Sequence, residues 1–159
     1  MAGRITKADA QLRPDPKFGS KQLSRFINTV MHDGKKSVAQ RLVYRTFEEI
    51  EQRTKGSPTG LEVFEKAVAN VRPDVEVRSK RVGGATYQVP MQVNKRRQQS
   101  LAFRWIIQAV RGDRGRPMYL RLARELMDAS KGDGKAIQTR EQTHRMADAN
   151  KAFAHFAWR

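Results

Sequence analysis

From Ser20 onward apolar residues recur at helical spacing. Leu23, Phe26, Ile27, Val30 and Met31 fall at i, i+3, i+4, i+7 and i+8, which predicts a helix capped by Ser20 and stopped at Gly34. A second helix is expected over about Lys36 to Thr54, with Val38, Leu42, Val43, Phe47 and Ile50 inward. "KGSPTG" breaks it. A third begins near Pro58 or Thr59, uses Phe64, Ala67, Val68 and Val71, and must end before Pro73.

At Val75 the period changes from 3.6 to 2. Val75, Val77, Ser79 and Arg81 share one face of a strand; Tyr87, Val89, Met91 and Val93 share one face of the next. A two-residue loop at Gly83-Gly84 would pair Val77 with Pro90 and put the apolar sets on opposite faces. A three- or five-residue loop pairs Val77 with Val89 or Met91 and keeps the sets together, and is the expectation here. Either way the apolar residues lie at the root of the hairpin, residues 75–93, and the cations toward a tip that protrudes. Pro90 marks an edge strand.

A fourth helix follows over about Lys95 to Arg111, and a fifth after Pro117 with Leu122, Ala123, Leu126 and Met127 inward. A sixth, after "SKGDGK", carries Met146, Ala149, Phe153 and Phe156. The fold class is therefore mainly α: a single-domain bundle of about six helices over residues 1–159, with a protruding two-stranded β-hairpin. Residues 1–19, with Pro14, Pro16 and Gly19, read as an extended basic arm. No secretory signal is expected in so polar a stretch.

Charge gives this fold a purpose. Lys and Arg number 32 against 16 Asp and Glu, a net +16 over 159 residues, so a polyanionic partner is expected, nucleic acid first. No membrane partner is expected, because no run of about 18 apolar residues occurs. The absence of cysteine excludes disulfides, thiol catalysis and cysteine zinc sites, and suits a reducing compartment.

The cations are concentrated. On helix four Arg97, Arg104 and Arg111 are seven apart and nearly eclipse, while Leu101, Ala102, Phe103, Trp105, Ile106, Ile107, Ala109 and Val110 fill most of the remaining circumference. Lys95 and Arg96 extend this ridge at its start, and it has no acid at i±4 on its own helix. A guanidinium fork suits phosphate, whereas a solvated charge strip is the plainer explanation of any such row. The hairpin offers Arg78, Lys80 and Arg81, whose plainer role is to guard an exposed edge. Lys35 and Lys36 sit at a turn, Arg114 and Arg116 in a Gly-containing loop, and Arg4 and Lys17 in the arm.

Catalysis finds no footing. His32, His144 and His155 have no ligand-like spacing, and "GDGK" lacks the phosphate-loop pattern, with Ala136 where Ser or Thr should stand. No enzyme activity, cofactor or metal is expected. From the residues alone, an RNA binder and an architectural DNA-binding protein with a basic β-ribbon both fit.

"RPDPKFGS", "DGKKS", "VRPDVEVRSKRVGGATYQVP", "LAFRW" and "HRMADANKAFAHFAW", in this order, resemble the signatures of the bacterial-type S-seven family of small-subunit ribosomal proteins, from about Arg13 to Trp158. The resemblance implies a six-helix bundle with a hairpin and a structural constituent of the small subunit. It implies primary binding to the 3′ domain of small-subunit ribosomal RNA, which nucleates head assembly, with exit-site transfer RNA and the messenger path nearby. Neighbouring head and platform proteins, the eleventh small-subunit protein among them, and regulatory binding to the protein's own messenger in some bacteria are also implied. So is a place in the small ribosomal subunit of the cytoplasm or of an organelle. Carried over by position, the RNA-facing set is the arm, Lys35, Lys36, Arg78, Lys80, Arg81 and the helix-four ridge, with Arg140, Arg145 and Lys151 added from the C-terminal helix. "MAGRITKADAQ" lacks the dense arginine run common in the family, so a weak grip is expected there.

Overall fold

The computed structural model describes residues 11–157. It is mainly helical with one antiparallel hairpin. The described residues form α1 (Lys21–Val30), α2 (Lys36–Thr54), α3 (Gly60–Val71), β1 (Val75–Val82), β2 (Ala85–Gln92), α4 (Lys95–Gly112), α5 (Met118–Ser130), α6 (Lys135–Ala149) and a 3-10 turn, Lys151–Phe156. Two compact units divide the chain, residues 1–45 and 46–159.

In the first unit, the Ser20 hydroxyl accepts the Leu23 N–H and starts α1, whose Leu23, Phe26, Ile27 and Val30 are buried. The helix ends at Val30 rather than near Gly34, because Met31 leaves helical geometry (ψ 139°); Asp33 (φ 52°) and Gly34 (φ 71°) then form a turn in left-handed conformations. Val38, expected inward, is 55% exposed. Within this unit the buried stripe of α2 runs through Ala39 and Val43, and Val38 sits one residue, about 100°, off it.

In the second unit a run of phenylalanines forms the core. Phe47 and Phe64 lie 5.9 Å apart by ring centroid, and Phe64 and Phe103 stack at 6.3 Å. Thr59 and Glu62 make a reciprocal capping box at the start of α3. α3 packs along α5, and α4 contacts both. Two helix ends are capped from other helices. Asn70 Nδ2 donates to the carbonyls of Ala129 and Ser130 at the end of α5, at 2.9 and 3.1 Å. Glu125 Oε1 accepts the Ala136 N–H at 2.8 Å at the start of α6, where Gly134 itself has no capping side chain. Trp105, grouped with the apolar face of α4, is only half-buried, whereas Phe103 and Ile106 are buried.

The hairpin has the even loop. Val82 pairs with Ala85 around Gly83-Gly84, and Val77 faces Pro90. Both glycines have positive φ, 58° and 88°, as a two-residue hairpin turn matched to strand twist requires. The odd loop is therefore overturned, and the apolar sets do fall on opposite faces. The more buried face is Glu76, Lys80, Tyr87 and Val89 rather than the Val75–Val77 row, with Glu76 and Val89 buried. The sixth helix is also shorter than its apolar spacing suggests. It stops at Ala149, Asn150 caps it through a side-chain bond to the Met146 carbonyl, and Met146 is 45% exposed. The chain then tightens into the 3-10 turn, in which residues three apart eclipse, so Phe153 and Phe156 come to one side and stack.

Two measurements test this packing. Gly60 lies in a helix, where alanine is ordinarily the better residue. A Cβ there would sit 2.7 Å from Phe47 Cβ and 2.9 Å from Phe47 Cα. Overlap with backbone outweighs propensity, and Gly60→Ala is expected to cost about 1–3 kcal/mol in urea unfolding. A neutral or stabilising result would mean the α2–α3 contact is looser than drawn. Glu125 is held above the usual carboxylate range by burial, with the Ala136 and Lys135 N–H groups opposing. The folded state thus binds its proton more tightly than the unfolded one. The stability this contributes is present below the ordinary carboxylate pKa and is lost as pH rises through the raised value. Glu125→Gln keeps an acceptor for Ala136 and should flatten that part of the stability–pH curve; parallel curves for the two proteins would refute the assignment.

Candidate nucleic-acid interface

In the first unit the arm is anchored by one acid. Asp15, 3% exposed, accepts the N–H groups of Lys17 and Phe18 and the Tyr44 hydroxyl at 2.9–3.1 Å. Gln40 donates to the same hydroxyl, and burial, the largest influence, raises the Tyr44 pKa. This holds Lys17 with its ammonium 5.4 and 5.1 Å from the rings of Phe18 and Tyr44. Lys35 and Lys36 are exposed at the turn into α2. Arg4 lies outside the described residues.

In the second unit Arg81, Lys95, Arg96, Arg104, Arg111, Arg114, Arg116 and Lys151 are exposed. Arg104 and Arg111, with exposed Gln108 between them, form the outward edge of α4, and Leu101, Ala102, Phe103, Ile106, Ile107 and Val110 are buried behind it. Asn94 caps this helix through the Arg97 N–H, fixing where Lys95 and Arg96 leave the hairpin.

Several of the expected cations have protein partners, exposed Arg78 and Arg145 among them. Arg97, the first member of the ridge, reaches Glu76 Oε2 through Nε and Nη2 at 3.3 and 3.2 Å, and Arg78 Nη2 lies 2.6 Å from Glu76 Oε1. The ridge has no acid on its own helix, but the hairpin supplies one. Lys80 Nζ donates to the Phe156 carbonyl at 2.7 Å. Arg140 donates to the Asn70 carbonyl, and Arg145 lies 3.7 Å from Glu141. These side chains orient elements as well as carrying charge.

Sequence reasoning missed four basic residues of one cleft. Arg53, Arg121, Arg124 and Lys135 join Arg114 and Arg116 around a hollow of about 660 Å³. Asp113, Glu125, Asp128 and Asp133 share it. Arg121 donates to the carbonyls of Val110 and Asp113, and Lys135 bonds the Asp113 carboxylate, which lowers the Asp113 pKa. The signal was available in "LRLAREL", where Arg121 and Arg124 are three apart on the face of α5 opposite its apolar residues. Among the described residues no group of three or more His, Cys, Asp or Glu could hold a metal, and no helix is long and apolar enough to cross a membrane.

Comparison with known proteins gives this surface a context. The profile of ribosomal protein S7p/S5e matches residues 2–151. A protein named small ribosomal subunit protein uS7 from Rhodopirellula baltica is 62% identical over 156 residues, covering 98% of this chain and 99% of that one. Proteins of the same name from Salinibacter ruber and Afipia carboxidovorans are 58% identical over 144 residues and 51% over 158, covering 91% and 99% of this chain and 91% and 100% of theirs. An exposed basic edge backed by a rigid core, a cationic hairpin and likeness over nearly the whole length agree: the chain belongs to the ribosomal protein S7p/S5e family.

Proposed function

We propose that this protein is a primary binder of the 3′ domain of small-subunit ribosomal RNA, that its binding nucleates assembly of the subunit head, and that its hairpin tip faces exit-site transfer RNA and the messenger path. The coarser role needs no proposal: the family is a structural, non-enzymatic component of the ribosome. The bacterial relatives are small-subunit proteins by name, which supports a cytoplasmic small subunit as its location. Contact with head and platform proteins, the eleventh small-subunit protein included, belongs to the same proposal.

The observation that carries the RNA reading is the run of exposed cations from Lys95 and Arg96 through Arg104 and Arg111 to Arg114 and Arg116. The core side of α4 fixes the spacing of those on the helix, with Arg114 and Arg116 in the loop that follows, so less backbone order remains to be imposed on binding. A disordered basic tail would lack that advantage. Phosphate contacts of this kind give affinity and register, and the folded RNA supplies the specificity through its shape.

Binding to a 3′-domain RNA fragment should weaken by roughly 10³–10⁵-fold between about 50 and 200 mM salt, as neutralising about six to ten phosphates requires. Arg104→Gln should lower the salt slope by about 1 and leave the thermal melt unchanged. A salt-independent affinity, or equal competition by duplex DNA, would sink the RNA reading. Unfolding by Arg104→Gln would make the ridge structural. For the tip, deleting Arg81, Val82, Ala85 and Thr86 together removes two cross-strand pairs, so Lys80 and Tyr87 stay opposite each other across the same Gly83-Gly84 loop. That protein should fold and enter reconstituted subunits, which then hold their reading frame poorly. Failed assembly by a folded chain would make the tip an RNA anchor, and unaltered decoding would reduce its cations to edge protection.

A further inference from the structure

The hairpin is held well above its root. At the root, Asp74 N–H donates to His144 Nε2 of α6 at 3.2 Å. One residue into the ladder, Arg97 of α4 grips Glu76. Four residues higher, Lys80 and Tyr87 face each other across the strands, and both reach the same C-terminal 3-10 turn. The Tyr87 ring centroid is 5.2 Å from that of Phe153 and 5.1 Å from that of Phe156. Lys80 Nζ closes the contact on the Phe156 carbonyl. Only two cross-strand pairs, Arg81–Thr86 and Val82–Ala85, lie beyond.

We propose that the 3-10 turn Lys151–Phe156 is a clasp that fixes the direction in which the hairpin projects, with Lys80 and Tyr87 as its positioning residues and Arg81 as the cation left to meet RNA. The proposal rests on the reading of the hairpin as an RNA-facing ribbon. The physical need is clear. A two-stranded ribbon has no third strand to stiffen it and bends about its root unless something grips it higher up. Aromatic packing and one charge-assisted hydrogen bond, applied to opposite strands at one height, restrain both bending and twisting. The tightening of the chain at Asn150 is what makes the clasp. Continued α-helical geometry would set Phe153 and Phe156 about 60° apart around the axis, whereas three residues per turn bring them onto one side, where their rings stack 6.5 Å apart.

The chain has no cysteine, so spin labels at Thr86→Cys on the tip and Gln138→Cys on α6 are unique, and their separation reports the hairpin's direction in the free protein. The parent pair should give one narrow distance distribution. Phe156→Ala, which leaves strand pairing untouched, should broaden it, and Tyr87→Ala should do the same without changing the helical circular dichroism. Tyr87→Phe, which keeps the ring, should restore the narrow distribution. Distributions for Phe156→Ala and Tyr87→Ala matching the parent would overturn the clasp, as would a Tyr87→Phe distribution as broad as that of Tyr87→Ala. For transfer RNA binding to reconstituted subunits, Lys80→Met should leave the salt slope unchanged while Arg81→Gln lowers it by about 1. Equal loss in both would return Lys80 to the phosphate contacts. Failure of the RNA reading itself would appear separately, as a parent protein with no salt-dependent binding at all.

Discussion

The second unit depends on a buried carboxylate. Glu76, 8% exposed, is an acid on the hairpin of a chain carrying +16, and it takes one arginine from its own strand and one from α4. An unpaired carboxylate so placed would be costly, and two guanidinium groups satisfy both of its oxygens. The pair is bound to solvent-reachable arginines, so its value lies more in direction than in energy. It fixes the root of the hairpin against the first turn of α4, where the exposed cations begin. Remove that fixed angle and the basic edge of α4 and the tip no longer form one surface of defined shape.

The same logic recurs at buried Asp15 and half-buried Glu125. Asp15 in the first unit ties the arm to α2 through Tyr44 and leaves Lys17 over the aromatic rings. Glu125 caps α6 from α5 and leaves Lys135 at the rim of the cleft. In a chain with half as many acids as bases, Asp15, Glu76 and Glu125 each hold a cation-bearing segment in place. Self-repulsion of the remainder favours a polyanion as partner, and the acids decide which cations are left outward to meet it.

This division explains what could be read from the sequence. The helices of both units were legible because their apolar stripes repeat at 3.6 and their breakers are glycine and proline. The exposed edge of α4 was legible because Arg104 and Arg111 are seven apart on a stretch, Leu101 to Val110, that is otherwise nearly all apolar. The hairpin register was not, because apolar residues do not choose its inner face. Here a glutamate, a lysine and a tyrosine occupy it, each satisfied by a partner distant in sequence: Arg97, the Phe156 carbonyl and the two phenylalanine rings. The Gly83-Gly84 turn, two residues free to take positive φ, was the stronger signal. Val38 and Met146 mislead for a related reason: apolar character places a residue inward only when it lies on the stripe that packs.

Basic residues in such a chain therefore cannot be treated as one class. Arg78, Lys80, Arg97 and Arg140 each have a partner within the protein, whereas Arg81, Arg104, Arg114 and Arg116 are exposed. Removing one of the first group alters the shape that RNA would meet; removing one of the second alters only the charge. The two effects separate in salt titration, since a lost phosphate contact changes the slope, and a lost orientation weakens affinity with the slope preserved. Charge alone would rank all eight alike, but their contacts within the protein separate those that orient its elements from those that point to solvent.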